Sequence, residues 1–204
     1  MNVGWVSRLR RFVADDGRDE RCDLCAEAIG AAHRHLIELS TRRILCACEA
    51  CGGTAAGSAR FRAIVPTTIT LDDFALDDSL WDALQIPIGL AFLLESGEDR
   101  RPLAVYPSPA GGIESAIAEE LWSRLQTANP ALFDMTPDVE ALLIHRMGAA
   151  RRYYRVSIDR CYALTGLVRS RWEGLSGGAA VRREIERFFA ALDDAPSQGT
   201  FVHG

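Results

Sequence analysis

Two Cys-x2-Cys pairs, Cys22-Asp-Leu-Cys25 and Cys48-Glu-Ala-Cys51, stand roughly twenty residues apart near the start of this chain. They constrain its folding more than any other feature. A borderline-soft ion such as zinc takes four thiolate or imidazole donors at tetrahedral corners, and two such turns supply four sulfurs at once. Cys22, Cys25, Cys48 and Cys51 are therefore read as metal ligands. Four thiolates suit zinc and rubredoxin-type iron alike; zinc is the expected ion and iron the alternative.

Between the pairs, His33-Arg-His-Leu-Ile-Glu-Leu39 and Arg43-Ile-Leu-Cys-Ala-Cys48 alternate like two strands around Ser40-Thr41-Arg42. The module is thus expected to resemble a zinc ribbon, a hairpin stapled by two metal knuckles. Glycine after the second cysteine eases a left-handed closing residue; Gly52 meets this, whereas the first turn has Ala26 there. A two-residue turn on Thr41 and Arg42 would oppose Ile37 with Cys46 and His35 with Cys48, placing His33, His35, Cys46 and Cys48 on one face. His33, His35 and Cys46 are then additional donors beyond the four that one ion needs. Either they pack and cover the site, or they form a second site or line the approach to the first.

The rest of the chain reads as α+β. Residues 4–14 have helical spacing, and 51–58 are small and glycine-rich, marking a linker or wide loop. Strands are expected at 61–65, 88–95, 103–106 and 153–158, with an acidic helix start among Asp72, Asp73, Asp77, Asp78 and Asp82. Helices are expected at 114–128, from Thr136 through Arg146, from an Asp159 cap to Trp172, and from Gly178 to Leu192. His145 then falls on a helix surface, and Cys161 is packing. The expected organisation is an N-terminal helix (1–17), the zinc-ribbon-like metal module (18–58), a mostly antiparallel sheet covered by helices (59–195) and a disordered tail (196–204).

Charge narrows the function. The net charge of −5 and pI near 5.4 oppose nucleic acid or an anionic membrane as the main partner. All 23 basic residues are Arg, so lysine chemistry is excluded. No apolar run approaches the roughly 20 residues of a membrane span, and the start lacks the apolar stretch of a secretory signal, so a cytoplasmic protein is expected. In a reducing compartment, clustered cysteines are metal ligands more often than disulfides. No nucleophile elbow or Ser-His-Asp arrangement is present, and the expected function is not enzymatic.

The order of blocks is specific. Arg21-Cys-Asp-Leu-Cys25, His33-Arg-His-Leu36, Cys46-Ala-Cys48 with Cys51, Tyr106-Pro-Ser-Pro-Ala-Gly111, Asn129-Pro130, Pro137-Asp-Val-Glu-Ala-Leu-Leu143, Ile158-Asp-Arg-Cys-Tyr162, Arg171-Trp-Glu-Gly174 and Gly177-Gly178 follow one another along nearly the whole chain. In this the chain resembles an uncharacterised bacterial family whose genes are typically found beside those of uptake NiFe hydrogenases. The resemblance implies an accessory of hydrogenase assembly or operation with a protein partner linked to that enzyme. Two other classes compete: a rubredoxin-like electron-transfer module, and a zinc-ribbon regulator associated with nucleic acid. The charges between Cys22 and Cys51 nearly balance, which disfavours the last.

Overall fold

The computed structural model describes residues 20–172 and 178–194. The helix expected over 4–14 and the tail from 196 lie outside the described residues. The fold is α+β. A small N-terminal part comprises β1 (Glu20–Arg21), β2 (Ala28–Ile29), β3 (Arg34–Glu38), β4 (Arg43–Ala47), α1 (Glu49–Ala56) and β5 (Phe61–Ile64). β1 and β2 pair with each other, and the remaining strands form a three-stranded antiparallel sheet in the order β4-β3-β5.

The larger part contains β6 (Thr68–Thr70), α2 (Asp78–Ala83), β7 (Leu90–Glu95), β8 (Pro102–Ser108), β9 (Gly111–Ala116), α3 (Glu119–Ala128), β10 (Glu140–His145), β11 (Arg152–Ser157), α4 (Ile158–Arg171) and α5 (Gly178–Asp193). Its six strands are antiparallel throughout, in the order β6-β11-β10-β7-β8-β9. Helices cover both faces. Phe92, Leu94, Leu143 and Val156 point to α4 and α5, while Leu93, Leu142 and Ile144 point to α2 and α3. Ile37 and Ile64 of the smaller sheet join the first of these clusters, so the two sheets share an apolar core.

Burial on both faces explains one misreading. Residues from Thr136 carry a helix-start pattern, but the segment turns at Asp138, which has φ 63°, and continues as β10, buried at every position. A strand covered on both sides loses its alternation, so periodicity cannot distinguish it from a buried helix. The expected helix from Glu114 also starts late, because residues 111–116 pair with β8 as β9 before α3 begins. Thr68–Thr70 is a strand that had no sequence signal beyond its β-branched residues.

His145 is consequently a core residue and does not lie on a helix surface. It has no exposed area, and its ring stacks on Phe189 with centroids 4.3 Å apart. Neither ring nitrogen has a hydrogen-bond partner among the described residues. Burial pushes its pKa down from 6.5, outweighing the upward pull of Glu186 at 3.6 Å. The unfolded chain therefore takes up this proton before the folded one does. The stability His145 confers is full above pH ~6.5 and is lost as pH falls towards the folded pKa. Denaturant titrations from pH 7 to 5 are expected to show a shallower loss in His145→Leu than in the wild type. Parallel losses would contradict this assignment.

Candidate metal centre

The first pair lies on the loop between β1 and β2. Cys22 N–H donates to Glu27 O and Ala26 N–H to Cys22 O, each at 2.8 Å, which folds Cys22 to Cys25 into a tight turn. Ala26 occupies the left-handed region at φ 65°, the position where the sequence lacks its glycine. A side chain costs roughly 1–2 kcal/mol there, partly offset by the extra freedom glycine brings to the unfolded chain. Ala26→Gly is expected to stabilise the protein by about 0.5–1 kcal/mol in thermal melts. A lower melting temperature would show that the turn is not strained.

The second pair is built differently from a ribbon knuckle. Cys48 is the N-cap of α1, and its Sγ accepts the Cys51 N–H at 3.4 Å. The segment expected as a linker or wide loop is thus largely helix. Capping by a sulfur offsets the cost of two glycines, and Gly52 is needed, because a Cβ there would stand 2.6 Å from the Arg34 side chain. Arg34 in turn pairs with Glu49, tying β3 to the first turn of α1. The helix N-terminus directs partial positive charge at the sulfurs.

The hairpin and α1 bring the two pairs together. The Cys22, Cys25, Cys48 and Cys51 sulfurs all lie within 4.8 Å of one another, and none is in a disulfide. Cys25 Sγ and Cys48 Sγ are 3.8 Å apart. A tetrahedron with metal–sulfur bonds of about 2.3 Å has edges of about 3.8 Å, so the donor set fits a tetrahedral metal ion. Protonation is uneven. Burial pushes the Cys22 thiol up, but N–H donors of Cys48, Leu24 and Cys25 outweigh it and bring the thiol down to about 6. Contact with the Cys25 and Cys48 sulfurs pushes Cys51 up to about 12. Four sulfurs this close cannot all ionise without a cation among them.

His33, His35 and Cys46 form a separate group, whose ligand atoms are likewise within 4.8 Å of one another. The hairpin register differs from the expected one by two residues. The loop is four residues long, with Arg42 at φ 50°, so His35 opposes Cys46 and Ile37 opposes Ile44. A slip of two preserves the face, which is why the donors still converge. His35 Nδ1 meets Asp159 Oδ2 at 2.7 Å. Asp159 is not the α4 cap; Ser157 holds that position, leaving the carboxylate in the first turn to reach across to β3. Sequence reasoning gave Asp159 only the role of helix cap, and gave none to Asp23, whose Oδ2 accepts the Cys46 N–H at 2.9 Å.

The cleft lined by Arg42, Arg60 and Arg62 has these guanidiniums on Glu114, Glu38 and the Pro137 carbonyl. Cys161 is fully buried on α4, where burial raises its thiol pKa, so it is packing. No helix among the described residues is long and apolar enough to cross a membrane. No curated protein and no solved structure matches the chain. A family model matches residues 21–196, and the chain belongs to that family, the family of unknown function DUF5947.

Proposed function

We propose that Cys22, Cys25, Cys48 and Cys51 hold one zinc ion and that the protein is a non-catalytic metal-binding accessory of NiFe hydrogenase assembly or operation. The observation that carries the metal reading is the convergence of four free sulfurs from a tight turn and a helix N-terminus. Four sulfurs fill a tetrahedral ion and leave no open position for a substrate, which supports a structural over a catalytic role. The hydrogenase context is supported by the order of motifs along the chain and implies a protein partner. The net charge of −5 supports a partner other than nucleic acid.

Metal analysis of protein purified without added metal tests the first part. Zinc and a colourless solution are expected; a red protein carrying iron would move the reading to rubredoxin-like electron transfer. The second part is tested in a hydrogen-oxidising host lacking the gene. Hydrogen uptake should fall and return with the wild-type gene but not with Cys22→Ser/Cys25→Ser. Unchanged uptake in the deletion strain would remove the hydrogenase assignment while leaving the metal site in place.

A further inference from the structure

We propose that His33, His35 and Cys46 form a second metal site, separate from the four-cysteine group, binding a borderline divalent ion such as zinc through His33 Nε2, His35 Nε2 and Cys46 Sγ. Its fourth position is open to water or to a donor from a partner.

The hydrogen bonds around the two rings carry the argument. His35 Nδ1 faces Asp159 Oδ2 at 2.7 Å, and His33 Nδ1 faces the Gly30 carbonyl at 2.8 Å with Glu20 Oε2 at 3.3 Å. Carboxylate and carbonyl oxygens only accept, so each neutral ring keeps its proton on Nδ1 and carries a lone pair on Nε2. The two Nε2 atoms nevertheless face each other at 3.2 Å. Lone pairs at that separation repel unless a cation lies between them. Metal–nitrogen bonds of about 2.0–2.1 Å at a tetrahedral ion place two nitrogens about 3.3–3.4 Å apart, close to the spacing found.

A proton shared by the two imidazoles would also relieve the repulsion, but it would need no sulfur. Cys46 is held directly opposite His35 in the hairpin, and its Sγ lies within 4.8 Å of a ring nitrogen of each histidine. The carboxylate-to-imidazole bond from Asp159 is the arrangement that orients a histidine towards a metal and fixes its tautomer. The site is largely enclosed: the His33 and His35 side chains are 7% and 23% exposed. Three protein donors with a fourth position left over distinguish it from the closed four-sulfur group. Because Asp159 lies on α4, occupancy of this site also ties the smaller sheet to the larger part of the fold.

The full-length wild type and a His33→Gln/His35→Gln variant, as purified, are titrated with Co2+, followed in the visible, and analysed for total metal after excess is removed. The wild type is expected to hold one more ion per chain than the variant, with visible bands of tetrahedral cobalt at this site. Cys46→Ser should lose the sulfur-to-cobalt charge-transfer band. Asp159→Asn should weaken cobalt binding by roughly 10–100-fold while saturation still reaches the wild-type total. Equal metal in wild type and double variant, with Asp159→Asn binding cobalt like the wild type, would overturn the proposal in favour of a shared proton. Failure of the four-cysteine assignment would lower both totals equally and leave the difference of one intact.

Discussion

Cys48→Ser is expected to lower affinity at the four-cysteine centre by more than the roughly 10–100-fold that loss of an outer-shell partner costs, and to loosen the N-terminal part of the fold. Serine is itself a favoured N-cap, so the substitution preserves the cap of α1 that Cys48 provides and removes only the sulfur. Loss of metal in this variant therefore reports ligation, with fraying of the helix excluded as its cause. The small cluster around Cys22, Leu36, Leu45 and Ala47 is too slight to hold the turn and helix together alone. Metal analysis should show about one ion fewer per chain than in the wild type, and limited proteolysis should cut between residues 20 and 58. Cys161→Ser, which lies outside the four-sulfur group, should retain its full metal content. Unchanged occupancy in Cys48→Ser would mean that another donor, Cys46 first, completes the site.

The second large effect lies in the body of the fold. Arg155 on β11 donates to Glu140 on β10, with Nε at 3.0 Å from Oε1 and Nη2 at 2.7 Å from Oε2. Glu140 Oε2 also accepts the Thr136 N–H at 2.8 Å, and Arg155 Nη2 reaches the Asp134 carbonyl at 2.6 Å. Both side chains are largely buried, at 13% and 8% exposure. Removing one partner strands the other, and Arg155→Met is expected to cost about 3–5 kcal/mol. For a chain of this size that is a fall in Tm of about 6–20 °C.

The cost should depend on pH. Burial raises the Glu140 pKa, but Arg155 and the Thr136 N–H outweigh it and hold the carboxyl below 4.5. The pair's contribution is therefore full above that value and is lost as pH falls through the folded pKa. In Arg155→Met the carboxylate loses its cation while its burial remains, so its pKa rises and acid relieves the penalty. The gap between wild type and variant should be widest near neutral pH and narrow below about pH 4.5. Adding Glu140→Gln should recover most of the loss at pH 7. A single variant within 1 kcal/mol of the wild type, or no recovery in the double, would contradict the pairing.

What could be read in the sequence follows from the range of the interactions involved. Cysteine spacing is local chemistry, so Cys22, Cys25, Cys48 and Cys51 were legible as one group, and the alternation of residues 33–48 gave the hairpin. The register was misplaced by two because the loop closes through Thr41 Oγ1 on Glu38 Oε2, an interaction that composition does not announce. β10 was read as a helix because its alternation is erased by helices that arrive from distant parts of the chain. Asp159 reaches His35 across 124 positions, and no local pattern carries that information. Residues 51–58 read as a linker or wide loop from their small residues and glycines, whereas the Cys48 cap and the packing of Gly52 on Arg34 make most of that stretch a helix.

X-ray absorption at the edge of the metal bound to the His33→Gln/His35→Gln variant tests the central claim most directly, because that variant retains only the four-cysteine centre. Four sulfurs at about 2.3 Å and no nitrogen or oxygen in the coordination shell are the predicted result. A shell containing nitrogen or oxygen at about 2.0–2.2 Å, or fewer than four sulfurs, would contradict it.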